Sequence, residues 1–250
     1  MERKMGLVEY LNIEFTKRQD INSSYSLRAF ARDLEVHAST LSHIMRGKRK
    51  LSTSMRNKLL EKLHLDSADG KLLQESASQR SSYTTHDIEH FIMLSEWYYD
   101  AILELTHTKG FIPSAEFVAE KLNIELSIAT KAIERLFESG QLKETPNKKW
   151  TDNEFHSDLA PGDVSHVALK KLQLQLLDRA KESIVTYNTD VRDQFSTTVS
   201  INKKDLEKAK EMISEFRDRM VSFLQRSGRE HDEVYELIIS FFPHTKLDQD

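Results

Sequence analysis

Not one of the 250 residues is a cysteine. Disulfides, thiolate zinc sites, iron-sulfur clusters and cysteine nucleophiles are therefore excluded together, and a reducing compartment is the natural home. Glycine is scarce at seven residues and proline at four, and the glycines form no G-x-G-x-x-G, no phosphate loop and no G-x-S-x-G elbow. Nothing marks a nucleophile, so the expectation is a protein that binds rather than catalyses and carries no cofactor. The opening MERKMGLVEY is charged with no apolar core after it, and no run of about 18 uncharged apolar residues occurs anywhere. A cytoplasmic protein that neither leaves the cell nor spans a membrane is expected.

What is present is 38% hydrophobic and 30% charged, enough apolar material to bury cores. The net charge of -4 hides an asymmetry. Residues 1–65 hold 13 Lys+Arg against 7 Asp+Glu, so the rest of the chain is acidic. Arg46, Lys48, Arg49, Lys50, Arg56 and Lys58 follow one another with no acidic residue between them. A basic head on an acidic body directs any polyanion to the head.

Apolar residues at helical spacing mark four short helices: Leu7, Leu11 and Phe15; Leu27, Phe30, Ala31 and Leu34; Leu41, Ile44 and Met45; Met55, Leu59, Leu60 and Leu63. Ser26 and Ser52 are positioned to cap the second and fourth, because a serine oxygen accepts the unpaired amides of a first turn. A fifth helix is expected over 67–79, then a polar Ser/Thr-rich linker over 76–86. The middle of the chain reads as an aromatic helix from Ile88 to Thr106, a helix opened by Pro113 and Ser114, another from Ser127 to Gly140, and a hairpin in QLKETPNKKWT. That is the layout of a winged helix. After a linker over 152–164 comes a helix over 165–185. Alternating residues Phe195 to Ile201 then read as a strand, an Asn202-capped helix carries an apolar stripe from Leu206 to Phe223, and Tyr235 to Phe241 read as a second strand.

The segment SLRAFARDLEVHASTLSHIMRGKRKLS behaves as a helix-turn-helix when its faces are separated. Leu27, Phe30, Ala31 and Leu34 turn inward, as do Val36 in the turn and Leu41, Ile44 and Met45 in the next helix. Ser39, Ser42, His43 and Arg46 are left on one outer face made only of hydrogen-bonding side chains. A helix in the major groove reads base edges with such groups, Arg toward guanine above all. Gly47 ends the helix, and Lys48, Arg49 and Lys50 stand where they reach phosphates. The candidate DNA-binding residues are Ser26, Arg28, His37, Ser39, Thr40, Ser42, His43, Arg46, Lys48, Arg49 and Lys50.

The residues L-R-A-F-A, S-T-L-S-H-I and R-G-K-R-K-L-S resemble the Cro and phage-repressor type of helix-turn-helix. The wider chain is similar to a family of bacterial transcriptional regulators of the Bdellovibrio and Fibrobacter type, which join this module to a domain of unknown function. The similarity runs through Ser95-Glu96-Trp97-Tyr98, Ala119-Glu120-Lys121-Leu122, Gly140 and Phe241-Phe242-Pro243. It implies transcriptional regulation. Many such relatives would carry histidine after S-E-W-Y or S-D-W-Y, where Tyr99 stands here.

Other features weigh less. The expected winged helix, from Asp87 to Glu154, holds 13 acidic residues against seven Lys+Arg. Phosphate would be repelled, so a structural or protein-contact role is favoured there, with Lys131 and Arg135 as cations on an otherwise acidic helix. Trp97, Tyr98 and Tyr99 with Phe91 and Ile92 read as core. His86 and His90 have the spacing of a shared metal site but lack a third ligand. The stripe over 206–223 is short for a coiled coil and better suited to cover a sheet.

The whole is expected to be a mainly α protein of three units. These are a helix-turn-helix bundle over 1–79, a winged helix over 87–155, and a C-terminal α+β unit over 163–245 built as helix, strand, long helix, strand. Double-stranded DNA and a second copy of the chain are the expected partners, with a possible protein partner at the acidic winged helix. The competing readings are an adaptor whose helix-turn-helix contacts proteins, and an RNA-associated regulator.

Overall fold

A computed structural model describes residues 6–22, 24–65, 70, 73, 91–152, 163–226 and 228–246. The chain divides into two compact units, the first ending at Gln175 and the second beginning at Leu176. Among the described residues the protein is mainly helical with one two-stranded antiparallel sheet. No described helix is long and apolar enough to cross a membrane.

The first unit opens with α1 (Leu7–Ile21), α2 (Leu27–Asp33), α3 (Ala38–Met45) and α4 (Thr53–Lys62). The two serines act as the sequence predicts: Ser26 Oγ accepts from the Ala29 amide and Ser52 Oγ from the Met55 amide. Between α2 and α3, Glu35 takes a left-handed φ of 53°, and the Val36 amide donates back to the Ala31 carbonyl at 2.8 Å. This turn sends α3 across α2. Their crossing is sealed by Leu11, Phe30, Ala31, Leu34, Leu41, Ile44 and Leu59, all buried, and Phe15 stacks on Phe30 with ring centres 5.5 Å apart. The fifth helix expected over 67–79, the linker over 76–86 and the His86/His90 pair lie almost wholly outside the described residues.

The aromatic segment differs from expectation. It is helical over 91–95, breaks at Glu96 and Trp97, and resumes as α5 (Tyr98–Leu105). The physical reason is at the break, where Ser95 is buried and Glu96 turns to a lysine of α1. There follow α6 (Ala115–Leu122), capped by Ser114 Oγ on the Phe117 amide, and α7 (Leu126–Glu138). The former ends on Asn123 at φ 51° and the latter runs out at Gly140 at φ 74°, both in the left-handed region that stops a helix. Strands β1 (Leu142–Glu144) and β2 (Trp150–Asp152) then pair antiparallel with Leu142 opposite Asp152. Trp150 meets Phe111 and Phe137, with ring centres 5.8 and 5.4 Å away. Helix, helix, helix, hairpin is the order expected of a winged helix.

The long α8 (Asp163–Thr186) runs from the first unit into the second, so the compact units divide inside a helix and not at a linker. In the second unit a single 3-10 turn (Lys203–Asp205), with Asn202 Oδ1 accepting from the Lys204 amide, leads into α9 (Leu206–Leu224). The two strands expected at 195–201 and 235–241 do not form. Neither segment carries a ladder, because a strand needs a neighbour for its amides and carbonyls and neither segment pairs with the other. The α+β unit expected over 163–245 is therefore corrected to helices joined by segments without regular structure.

Candidate nucleic-acid interface

Helix α3 is held from behind. Leu41 and Ile44 are buried, Val36 and Met45 are half-buried, and Asn12 Nδ2 of α1 donates to the Met45 carbonyl at 3.4 Å. Its outer face carries exposed Ser39 and His43 and half-buried Thr40 and Ser42, with His37 exposed at the N-cap. Arg46 is the exposed C-cap residue.

The chain then tightens. Gly47 takes φ 67°, its amide donates to Ile44, and the amides of Lys48 and Arg49 both donate to the His43 carbonyl, at 2.8 and 3.2 Å. These bonds fix the start of the basic tail against the last turn of α3. Lys48, Arg49 and Lys50 are exposed, and Arg49 Nη1 reaches back to Thr40 Oγ1 at 3.4 Å. Among the described residues no carboxylate pairs with Arg46, Lys48, Arg49 or Lys50. The nearest acid before them in sequence, Glu35, is engaged by Lys62 at 2.5 Å and Lys58 at 3.6 Å, and the Lys62 hydrogen bond lowers its pKa.

Of the eleven candidate residues, nine are gathered on α3, its N-cap and the tail. The other two sit on α2. Ser26 is exposed, and although its oxygen accepts from the Ala29 amide, its hydroxyl proton is still available to donate to a phosphate. Arg28 is exposed in the first turn of α2.

The structure also shows a contact that sequence reasoning missed. One face of α1 does not look to solvent. Tyr10, Ile13, Glu14 and Lys17 are buried, with Asp20 further along the same face. Tyr10 meets Phe91 edge to face, ring centres 5.8 Å apart. Lys17 Nζ donates to Glu96 Oε1 at 2.8 Å and to Ser95 Oγ. Lys171 of α8 pairs with Glu14 at 2.7 Å and lies 3.6 Å from Glu96. Arg135 of α7 donates to Asp20 at 2.6 Å and to the Tyr99 hydroxyl at 3.4 Å. Arg135 is thus committed to protein and buried, whereas Lys131 is exposed and pairs along its own helix with Glu134 at 2.8 Å.

Burial sets the electrostatics of this seam. Loss of water, reinforced by the Lys171 charge, pushes the Lys17 ammonium down to about 8 against the pull of Glu96 and Glu14. Burial works to raise the Glu14 carboxyl, but the Lys171 and Lys17 charges outweigh it and lower it. The aromatic cluster is core at Phe91, Ile92 and Tyr99, whereas Trp97 and Tyr98 are half-buried and line a cavity of about 170 Å³ with Lys17, Ile124 and Ile128. Among the described residues no group of three potential metal ligands occurs.

Comparison with known proteins adds one finding. A domain of unknown function, DUF4423, matches residues 71–243, well over half of the chain and wholly beyond α4. No curated protein and no solved structure matches. By that match the chain belongs to the DUF4423 family, whose function is not described.

Proposed function

We propose that the chain is a sequence-specific DNA-binding transcriptional regulator, with α3 entering the major groove and the tail from Lys48 to Lys50 gripping phosphates. The observation that carries this is the pairing of an outward polar face, Ser39, Ser42, His43 and Arg46, with three exposed cations that no described carboxylate neutralises. Base contacts supply sequence preference, and the tail supplies most of the affinity by releasing counterions.

The acidic winged helix plays a different part. Its two cations on α7 are engaged with protein, one of them with α1 of the reading module. It serves as the platform on which the reader is mounted.

Titrating salt against binding to a random duplex tests the proposal. The expected result is a linear fall of log K with log salt, followed by selection of a defined site from a random pool. Absence of duplex affinity at low salt would refute it and favour the adaptor reading.

A further inference from the structure

The second unit has no core of its own. From Leu176 onward not one described side chain is buried, although the segment is rich in large apolar residues. Tyr187, Phe195, Phe216, Phe223, Tyr235, Phe241 and Phe242 are all exposed, Phe195 to 88% and Tyr235 to 70%. At about 200 Å² per ring, these seven leave on the order of 800 Å² of aromatic surface in water. That equals the area of about 800 Å² which one partner brings to a standard protein interface. Val185, Val191, Val199, Ile201, Leu237 and Ile239 are exposed as well, which carries the total into the range of a permanent homodimer. A unit that leaves this many of its large apolar side chains in water and buries none is unusual for an isolated monomer.

We infer that a second copy of this chain covers this surface, the two second units folding into one shared core. Three features favour a second copy over a foreign protein. First, the unit holds complementary halves: α9 offers an apolar stripe through Ile213, Phe216, Met220 and Phe223, and 195–201 and 235–241 offer segments of strand-like alternating polarity that no strand pairs with. A two-fold axis sets the helix of each copy over the segments of the other, so each supplies what its partner lacks. Second, the charges do not oppose it. Residues 176–250 hold 12 Lys+Arg against 15 Asp+Glu, and on α9 the pairs Lys208 with Glu211 and Lys210 with Glu207 are satisfied within the helix. Third, closed symmetry uses up the open edges, which would otherwise template aggregation. The inference goes beyond the DNA-binding proposal and stands whether or not α3 reads DNA.

Sedimentation equilibrium of the full chain without DNA provides the test. The expected mass is twice 29.1 kDa throughout the micromolar range, and Phe195→Glu with Phe241→Glu should halve it while the helical signal of the first unit persists. Because the chain has no cysteine, a single introduced thiol gives an independent reading should that variant fail to fold. Thr197→Cys is expected to cross-link copy to copy on mild oxidation, and Glu116→Cys on α6 is not. A monomeric mass for the unsubstituted chain overturns the inference. So does a dimer that Thr197→Cys fails to cross-link and that the charged variant leaves intact.

Discussion

At the residue scale, Arg46 and the tail cations do different work and are separable. Arg46 caps α3 and projects from its exposed end, whereas Lys48 and Lys50 lie in the tail. Arg46→Ala is expected to erode preference for the selected site by about 1 to 3 kcal/mol, the worth of a bidentate arginine on guanine. Lys48→Ala should weaken selected and random duplexes alike. Competition binding against both duplexes reads the difference, and equal losses from the two variants would remove Arg46 from the reading face. Arg49 is expected to behave partly as each, because its guanidinium rests on Thr40.

Lys17 shows residue chemistry acting on the fold. Its pKa is depressed to about 8 in the folded chain and stands near 10.4 in the unfolded one. Below pH 8 the folded protein must hold a charge that burial and Lys171 disfavour, so the penalty is fully present there. Between pH 8 and about 10.4 the unfolded chain binds more protons, and the penalty is lifted as pH rises. Relative to Lys17→Met, the unsubstituted protein should gain roughly 2 to 3 kcal/mol across that window, at 1.36 kcal/mol per pH unit. Denaturant unfolding of both proteins at pH 7 and pH 10 measures this. A flat difference would mean that Glu96 and Glu14 compensate Lys17 in full.

At the element scale, helices with a cap and an apolar stripe were legible, and so was the winged-helix order. Ser26, Ser52 and Ser114 cap where their residue types predict, because capping is a local competition between a side chain and one turn of backbone. Two kinds of feature were not legible. The break at Glu96 and the burial of Glu14, Lys17 and Arg135 arise from contacts up to 157 residues apart in sequence, and charged residues on a helix read by default as a wet face. A signal did exist: Tyr10, Ile13, Glu14 and Lys17 follow the i, i+3, i+4, i+7 pattern of one helix face, with Asp20 three further on, a second stripe beside Leu7, Leu11 and Phe15. The strands at 195–201 and 235–241 failed for the opposite reason. Their alternation is correct for pairing, but one chain supplies no neighbour to pair with.

The seam between α1 and α7 gives a prediction of its own at this scale. Arg135 joins Asp20 to Tyr99 across two elements that the sequence places in separate domains. Removing one member of a buried pair strands the other, and such losses run to about 3 kcal/mol. Arg135→Ala is therefore expected to lower unfolding stability by about that amount. With Asp20→Ala the double variant should cost less than the two single losses combined, because contacting residues couple. Additive losses in the cycle would show that the pair contributes nothing across the seam.

At the scale of the whole molecule, specificity is limited by how few groups one reader presents. Ser39, Ser42, His43 and Arg46 can specify only a few base pairs, while a genome offers about a million or more competing sites. Two readers joined through the second units add their contacts, and the joint's two-fold symmetry must be copied in the DNA. The preferred operator is therefore expected to be an inverted repeat, its half-site centres about 10 bp or a multiple of that apart. The salt dependence should report the same count. Three tail cations per copy, at about 0.9 in slope for each phosphate neutralised, give a log-log slope near -3 for one copy and steeper than about -5 for two. Selection from a random pool with footprinting measures the first quantity, and titration on the selected site measures the second. An asymmetric single site bound with a slope near -3 would show that one copy reads alone, and the shared core would then serve some purpose other than pairing the readers.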